Sequence, residues 1–226
     1  ADAVLYTRAG PEIAVASTKA FTAQLTALIL LACYLADQRK VEWPYPREEM
    51  LNHIMALPAS LEETLAATAE TARAWGELIA NHRDCYFLGR NVDEPLAREA
   101  ALKLKEISYV HAEAYAAGEL KHGTIALIAE GTPVVSFMTQ EGVWDKMISN
   151  IHEVRARGAH TLAVVRENGF GLEGLVEGVI TLPPVPDLFA PVLAAVPAQL
   201  IAYEAAAALG RDVDQPRNLA KSVTVE

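Results

Sequence analysis

At 226 residues the chain is long enough to bury one large core, or one and a half smaller ones. Hydrophobic residues make up 52% of it, which excludes a disordered chain, and a formal charge of −10 argues against a broad nucleic-acid surface. An anionic small molecule can still be held locally, by backbone N–H groups, hydroxyls and a few lysines.

Residues 3–6 read as a short buried strand, and 7–16 as a loop carrying Gly10 and Pro11. Ser17 or Thr18 is placed to N-cap a long apolar helix that reaches about Gln38. Residues 41–47, with Trp43, Pro44 and Pro46, read as a linker. Two helical patterns follow, 48–56 and 61–81, separated by Pro58. Ser60, with Glu63 in the following turn, forms a capping box for the second.

A second unit begins at Asp84. CYFLG is a buried strand, and Gly89 opens the loop GRNVDEP, in which Asp93 can cap a helix with Pro95 in its first turn. That helix runs to about Tyr109. HAEAYAAGELKHG reads as mixed loop and short helix. Residues 133–138 form the next strand, and 144–157 a helix ended by Gly158. Residues 161–166 and 179–182 are further strands, and 189–209 an apolar helix ended by Gly210. Strands alternating with helices imply a parallel sheet covered on both faces. The expected fold is therefore α/β. Residues 82–211 form a complete doubly wound domain, and 1–40 the last strand and last helix of a similar one. Residues 41–81 are a helical linker and 212–226 a terminal tail. Two units ending in apolar helices of similar length suggest a tandem repeat whose first copy is cut, so a longer parent protein is expected.

Cys33 and Cys85 sit in apolar runs, which suits two buried thiols better than a disulfide or a metal pair. The sequence contains neither CxxC nor HExxH, and no metal is expected. The longest uninterrupted apolar run, 27–36, is too short for a membrane span. No charged segment precedes an apolar stretch at the start, so no signal peptide is expected, and the expected location is cytoplasmic.

On the helix 96–109, Ala97, Ala100, Ala101 and Leu104 define a core face, while Glu99, Lys103 and Glu106 share another. Periodicity allows two readings of that second face: a solvated stripe, or an acid and base paired at a pocket. Because the helix follows a strand and a glycine loop, Glu106 is expected at the carboxyl edge of the sheet, where open α/β sheets bind ligands. His122, between Lys121 and Gly123, is either a surface residue or a proton carrier near neutral pH, and Glu113 and Glu119 lie in the same loop. Ser17, Thr18 and Lys19 open a helix after a loop and could hold a phosphate as readily as cap the helix. The loop Gly89–Arg90–Asn91 is equally ambiguous and is no Walker or dinucleotide motif. The tail DVDQPRNLAKSVTVE places Lys221 near the end of the chain; an amine on a segment that can fold over a pocket suits work on a carbonyl substrate.

ALKLKEISYVHAEAYAAGELKHG at 101–123 resembles the signature of the isomerase half of the glucosamine-6-phosphate synthase family, the isomerizing glutamine–fructose-6-phosphate aminotransferases. ASTKAFTAQL at 16–25 resembles the close of that family's first sugar-isomerase (SIS) lobe. HEVRARGA and the terminal DVDQPRNLAKSVTVE are similar to it as well, in the expected order along essentially the whole chain. Thr124 stands where the family usually has proline, and Ala100 where it usually has glycine.

The resemblance implies a complete C-terminal SIS lobe preceded by the end of a first one. The parent activity it implies is amination and isomerization of fructose 6-phosphate to glucosamine 6-phosphate with ammonia from glutamine. Lys221 would engage the open-chain carbonyl as a Schiff base, Glu106 would move the proton between carbons, and Lys103 would assist at the sugar oxygens. His122 would open the ring from the partner subunit of a homodimer, and Ser17 and Ala220 would contact the substrate. A glutaminase domain and the rest of the first lobe would lie upstream; no cofactor, nucleic acid or membrane is implied. The alternative is a non-catalytic SIS module that binds a sugar phosphate.

Overall fold

Five strands from Asp84 onward pair into one sheet, in a computed structural model that describes residues 1–226 apart from 44, 167, 168, 170 and 223–226. The strands are β1 (Asp84–Gly89), β2 (His111–Ala116), β3 (Pro133–Met138), β4 (His160–Val165) and β5 (Gly178–Thr181). All are parallel, in the order β2-β1-β3-β4-β5. Strands covered on both faces carry near-continuous hydrophobic runs, as CYFL, PVVSFM and TLAVV do here. Side chains alternate between two cores. Cys85, Phe87, Val135, Phe137, Leu162 and Val164 face one. Tyr86, Leu88, Val134, Met138, Ala163 and Val165 face the other.

The first core is closed by α2 (Arg47–Ala80), α3 (Asp93–Ser108) and α5 (Ala190–Ala208), the second by α4 (Trp144–Arg155). α1 (Lys19–Arg39) lies ahead of these. α2 and α5 approach closely at Gly76, where a β-carbon would stand 2.5 Å from Glu204 Cβ and 2.7 Å from the backbone nitrogen of Ala205. The chain goes from β1 to β2 on one side and then to β3 on the other, so the loops after β1 and β3 diverge at the carboxyl edge.

Several local expectations change. Residues 3–6 form no strand, and Val4, Leu5 and Tyr6 are exposed. A strand needs a neighbour for its backbone groups, and none of the described strands lies beside this one. Residues 47–80 form a single helix with Pro58 inside it. Burial of Met50 and Leu57 before the proline, and of Thr64 and Trp75 after it, holds the helix together across one missing N–H. Ser60 therefore caps nothing: its carbonyl accepts from the Thr64 hydroxyl at 2.7 Å. Asp93 is likewise no cap. Its carboxylate is fully buried and accepts the Thr139 N–H at 2.7 Å and the Thr139 hydroxyl at 2.6 Å, tying the start of α3 to the end of β3. HAEAYA is strand β2 rather than loop, and AGELKH and TIAL follow as short 3-10 turns. Its alternation of Ala112, Ala114 and Ala116 with polar residues is the period-2 signal for a strand.

Both cysteines are free thiols, but only Cys85 is fully buried; Cys33 is partly exposed on α1. Two helices, Lys19–Arg39 and Ala190–Ala208, are long and apolar enough by composition to cross a membrane. The second is largely a core helix, with 61% of its most apolar window buried inside the fold, against 6% for the first. Leu28, Leu30, Leu31, Tyr34 and Leu35 of α1 are exposed.

Candidate active site

α3 resolves the two readings of its polar face. Ala97, Ala100, Ala101 and Leu104 are buried, as their spacing requires. Lys103 is buried too, at 4% exposure, which excludes a solvated stripe. Its Nζ donates to Glu106 Oε2 at 2.6 Å and stands 3.5 Å from Glu99 Oε1. A buried ammonium is tolerated only when paired, and here two carboxylates on its own helix do so. Burial raises the pKa of Glu99 above its ordinary value, with Lys103 pulling the other way.

The loop ahead of α1 supplies a second wall. Glu12 reaches the start of that helix, where its carboxylate accepts the Thr18 N–H at 2.6 Å, the Thr18 hydroxyl at 2.9 Å and the Ser17 hydroxyl at 3.3 Å. Thr18 occupies the cap position, but Glu12 supplies the cap, placing negative charge at the positive end of the helix. Burial pushes Glu12 upward; the hydrogen bonds from Thr18, together with Lys221, outweigh it and lower its pKa to about 2.

The tail brings the third component. Lys221 Nζ donates to the carbonyls of Ala14 at 3.0 Å and Val15 at 3.3 Å and stands 3.3 Å from Glu12 Oε2. Between α5 and Lys221 the tail is tied down. The Val15 N–H donates to the Asp214 carbonyl at 2.8 Å, and the Arg217 N–H donates to the Tyr109 hydroxyl at 2.8 Å. Ala14, Thr18, Lys103, Tyr203 and Asp214 share the lining of one cavity of about 180 Å³. Lys103, the helix start beside Ser17 and the tail therefore meet at one place. Ala220, next to Lys221, is exposed. A larger hollow of about 580 Å³, between α1, α3 and α5, is lined almost wholly by apolar side chains, with Glu99 the one carboxylate among the described residues that line it.

Glu106 does not lie at the carboxyl edge of the sheet. α3 runs back between the end of β1 and the start of β2, so its last turn, with Glu106, stands at the amino edge. The cavity is built there from α3, the loop before α1 and the tail instead of from the strand ends. His122 lies on the opposite side, in the turn that leaves the carboxyl end of β2, exposed, with Glu119 at 4.0 Å. A strand of six residues separates the two edges by roughly 20 Å. The Gly89–Arg90–Asn91 loop is also at the carboxyl edge, where Arg90 Nε donates to Asn150 Oδ1 at 3.1 Å. Glu113, on β2, accepts from the Tyr115 hydroxyl and faces His111.

Glu12 and Tyr109 escaped the reading of the sequence. Nothing local marks Glu12, because capping boxes place their carboxylate inside the helix, not in the preceding loop. Tyr109 had a signal: it ends a helix at a position that turns left-handed, where glycine is usual. Among the described residues no group of three or more His, Cys, Asp or Glu is placed to hold a metal ion.

Comparison with known proteins adds the following. The SIS domain family matches residues 78–209. The chain is 50% identical over 226 residues to a glutamine–fructose-6-phosphate aminotransferase [isomerizing] of Clostridium acetobutylicum, covering 100% of this chain and 37% of that protein. It is 52% identical over 226 residues to the protein of the same name from Symbiobacterium thermophilum, again over 37% of its length. Among solved structures, the C-terminal domain of glucosamine-fructose-6-phosphate aminotransferase from Francisella tularensis superposes with a TM-score of 0.79 at 36% identity. That match covers 91% of this chain and 58% of that one. The chain thus spans about 37% of the length of the curated relatives it matches.

Proposed function

This chain belongs to the SIS domain family, and from that premise we propose that it forms the sugar-handling end of an enzyme that aminates and isomerizes fructose 6-phosphate to glucosamine 6-phosphate, with glutamine as the nitrogen donor. One observation carries the reading. Buried Lys103, paired with the partly buried Glu106, lines one cavity with Ala14 and Thr18 at the start of α1 and Asp214 of the tail, and Lys221 donates to the carbonyl of that same Ala14; a non-catalytic sugar-phosphate module would need the cavity but neither the pair nor the tail amine.

In this reading residues 1–40 close a first lobe, 41–81 link, 82–211 form the second lobe and 212–226 are the active-site tail. Residues 223–226 of that tail lie outside the described residues, as does Pro44 of the linker. The remainder of the first lobe and a glutaminase domain lie upstream. The exposed apolar face of α1 packs against that remainder, not a membrane, in a cytoplasmic homodimer.

Lys221 leaves its resting contacts with Glu12 and the Ala14 and Val15 carbonyls. Having given its proton to solvent, it attacks the open-chain carbonyl as the free amine, releasing one water as the Schiff base forms; ammonia from glutamine then displaces the Lys221 amine from that carbon, leaving its nitrogen on the sugar. Glu106 then carries the proton between C1 and C2; partly buried beside Lys103, it is a carboxylate positioned for acid–base work. Lys103 assists proton transfer at the sugar oxygens. Ser17 and the backbone at Ala220 hold the substrate. His122 opens the ring from the partner subunit.

The test is a pair of substitutions in the protein with its upstream region present. Arginine keeps the charge but forms no Schiff base, so Lys221→Arg should lose sugar turnover as completely as Lys221→Ala, while glutamine hydrolysis persists. Borohydride with fructose 6-phosphate should leave an adduct on Lys221 of the unaltered protein only. Near-normal sugar turnover by Lys221→Arg would refute the covalent role.

A further inference from the structure

We propose that Tyr109 is a positioning residue: it clamps the terminal tail and so sets where Lys221 stands. The inference rests on the reading of Lys221 given above and concerns how that same site is assembled. The guanidinium of Arg217 lies 4.3 Å from the centre of the Tyr109 ring and that of Arg211 lies 5.4 Å from it. Both are within reach of a cation–π contact. The same tyrosine accepts the Arg217 N–H through its hydroxyl at 2.8 Å. Between the two arginines, Asp212 Oδ1 accepts the N–H groups of Asp214 at 3.0 Å and Gln215 at 2.9 Å, which folds the tail into a turn. One tyrosine therefore holds the tail on both sides of that turn, and Lys221 lies just beyond the clamp.

Two further facts give the contact a role beyond packing. Tyr109 terminates α3, the helix that carries Lys103 and Glu106, so the clamp fastens the tail amine to the element that bears its partners. Its backbone is left-handed, with φ +66°, a conformation glycine adopts without strain and a tyrosine does not. The turn alone would select glycine; the ring is what the tail uses.

That conflict supplies the test, in the protein with its upstream region present. Tyr109→Gly suits the turn, so the melting temperature should hold or rise, yet the tail loses both its platform and its acceptor. Trypsin should then cut after Arg211 and Arg217 about fivefold faster or more, reflecting a more open tail. For sugar turnover kcat should fall about tenfold while KM stays within about threefold, because a misplaced amine costs rate more than binding. Tyr109→Phe keeps the ring and loses only the hydroxyl, and should stay within about threefold of the unaltered protein in both readouts. Unchanged cleavage in Tyr109→Gly overturns the clamp. Faster cleavage with unchanged kcat overturns its positioning role. Failure of the functional reading is recognised separately, because Lys221→Ala would then leave sugar turnover intact whatever stands at position 109.

Discussion

Asp93 brings a carboxylate into the carboxyl edge of the sheet with no solvent contact. Burial raises its pKa from 3.8 to about 6, against the pull of the two Thr139 hydrogen bonds. The native state therefore holds this proton more tightly than the unfolded chain does. Asp93's contribution is most favourable below pH 4, declines as pH rises from about 4 to 6, and above 6 leaves a burial cost of roughly 3 kcal/mol. Asp93→Asn removes the titration and keeps an acceptor for the Thr139 N–H. Melting curves of both proteins across pH 4 to 7 should show the variant gaining on the unaltered protein as pH rises to 6. A constant difference would mean that Asp93 does not titrate in that window. Sequence reading identified Asp93 as a cap because Asp before a proline-containing first turn has that local signature. The partner that claimed it, Thr139, stands 46 residues away along the chain. Lys103 and Glu106 were legible as sharing a face, since helical spacing is local, but whether water reached that face was decided by α5 and the tail.

At the scale of elements, the helices and central strands follow the hydrophobic period closely, and the exceptions share a cause. Pro58 predicts a break, and burial on both sides of it overrides the local cost. Residues 3–6 have strand-forming side chains and no partner. The segment 111–123, expected as mixed loop and short helix, begins with β2: its alanines are weak strand formers, and pairing along the whole of β1 makes it a strand. The contact of α2 with α5 depends on Gly76, which helix propensity alone would count against the helix. A methyl there meets backbone and a Cβ, neither of which can swing away. Gly76→Ala should therefore destabilise the protein by about 1–3 kcal/mol despite alanine's better propensity. The melting temperature should fall by several degrees, roughly 2–4 °C per kcal/mol at this size. A rise would show that the two helices can separate without loss.

Across the whole molecule, the position of His122 is the largest constraint on the proposed chemistry. It leaves the carboxyl edge of the sheet while Glu106 stands at the amino edge, so one chain does not bring them together. In the proposed reading, a partner subunit is the route by which both reach one sugar. If so, mixing His122→Ala with Glu106→Gln protein, each inactive alone and each with its upstream region, should recover roughly a quarter of unaltered activity. Half of randomly reassorted dimers are hybrid, and each hybrid holds one intact site. Hybrids that form and stay inactive would place each site within one chain.

The sequence by itself determined the α/β alternation, the strand and helix periods from Asp84 onward apart from β2, the composition of the polar face of α3 and the presence of an amine near the chain's end. These properties are written in spacing between near neighbours. Tertiary structure decided which polar groups became buried, which edge of the sheet carries the cavity, that Glu12 caps α1 and meets Lys221, and that Tyr109 holds the tail. Each of these depends on contact between residues far apart in the chain, and spacing carries no information about which distant groups will exclude water from one another.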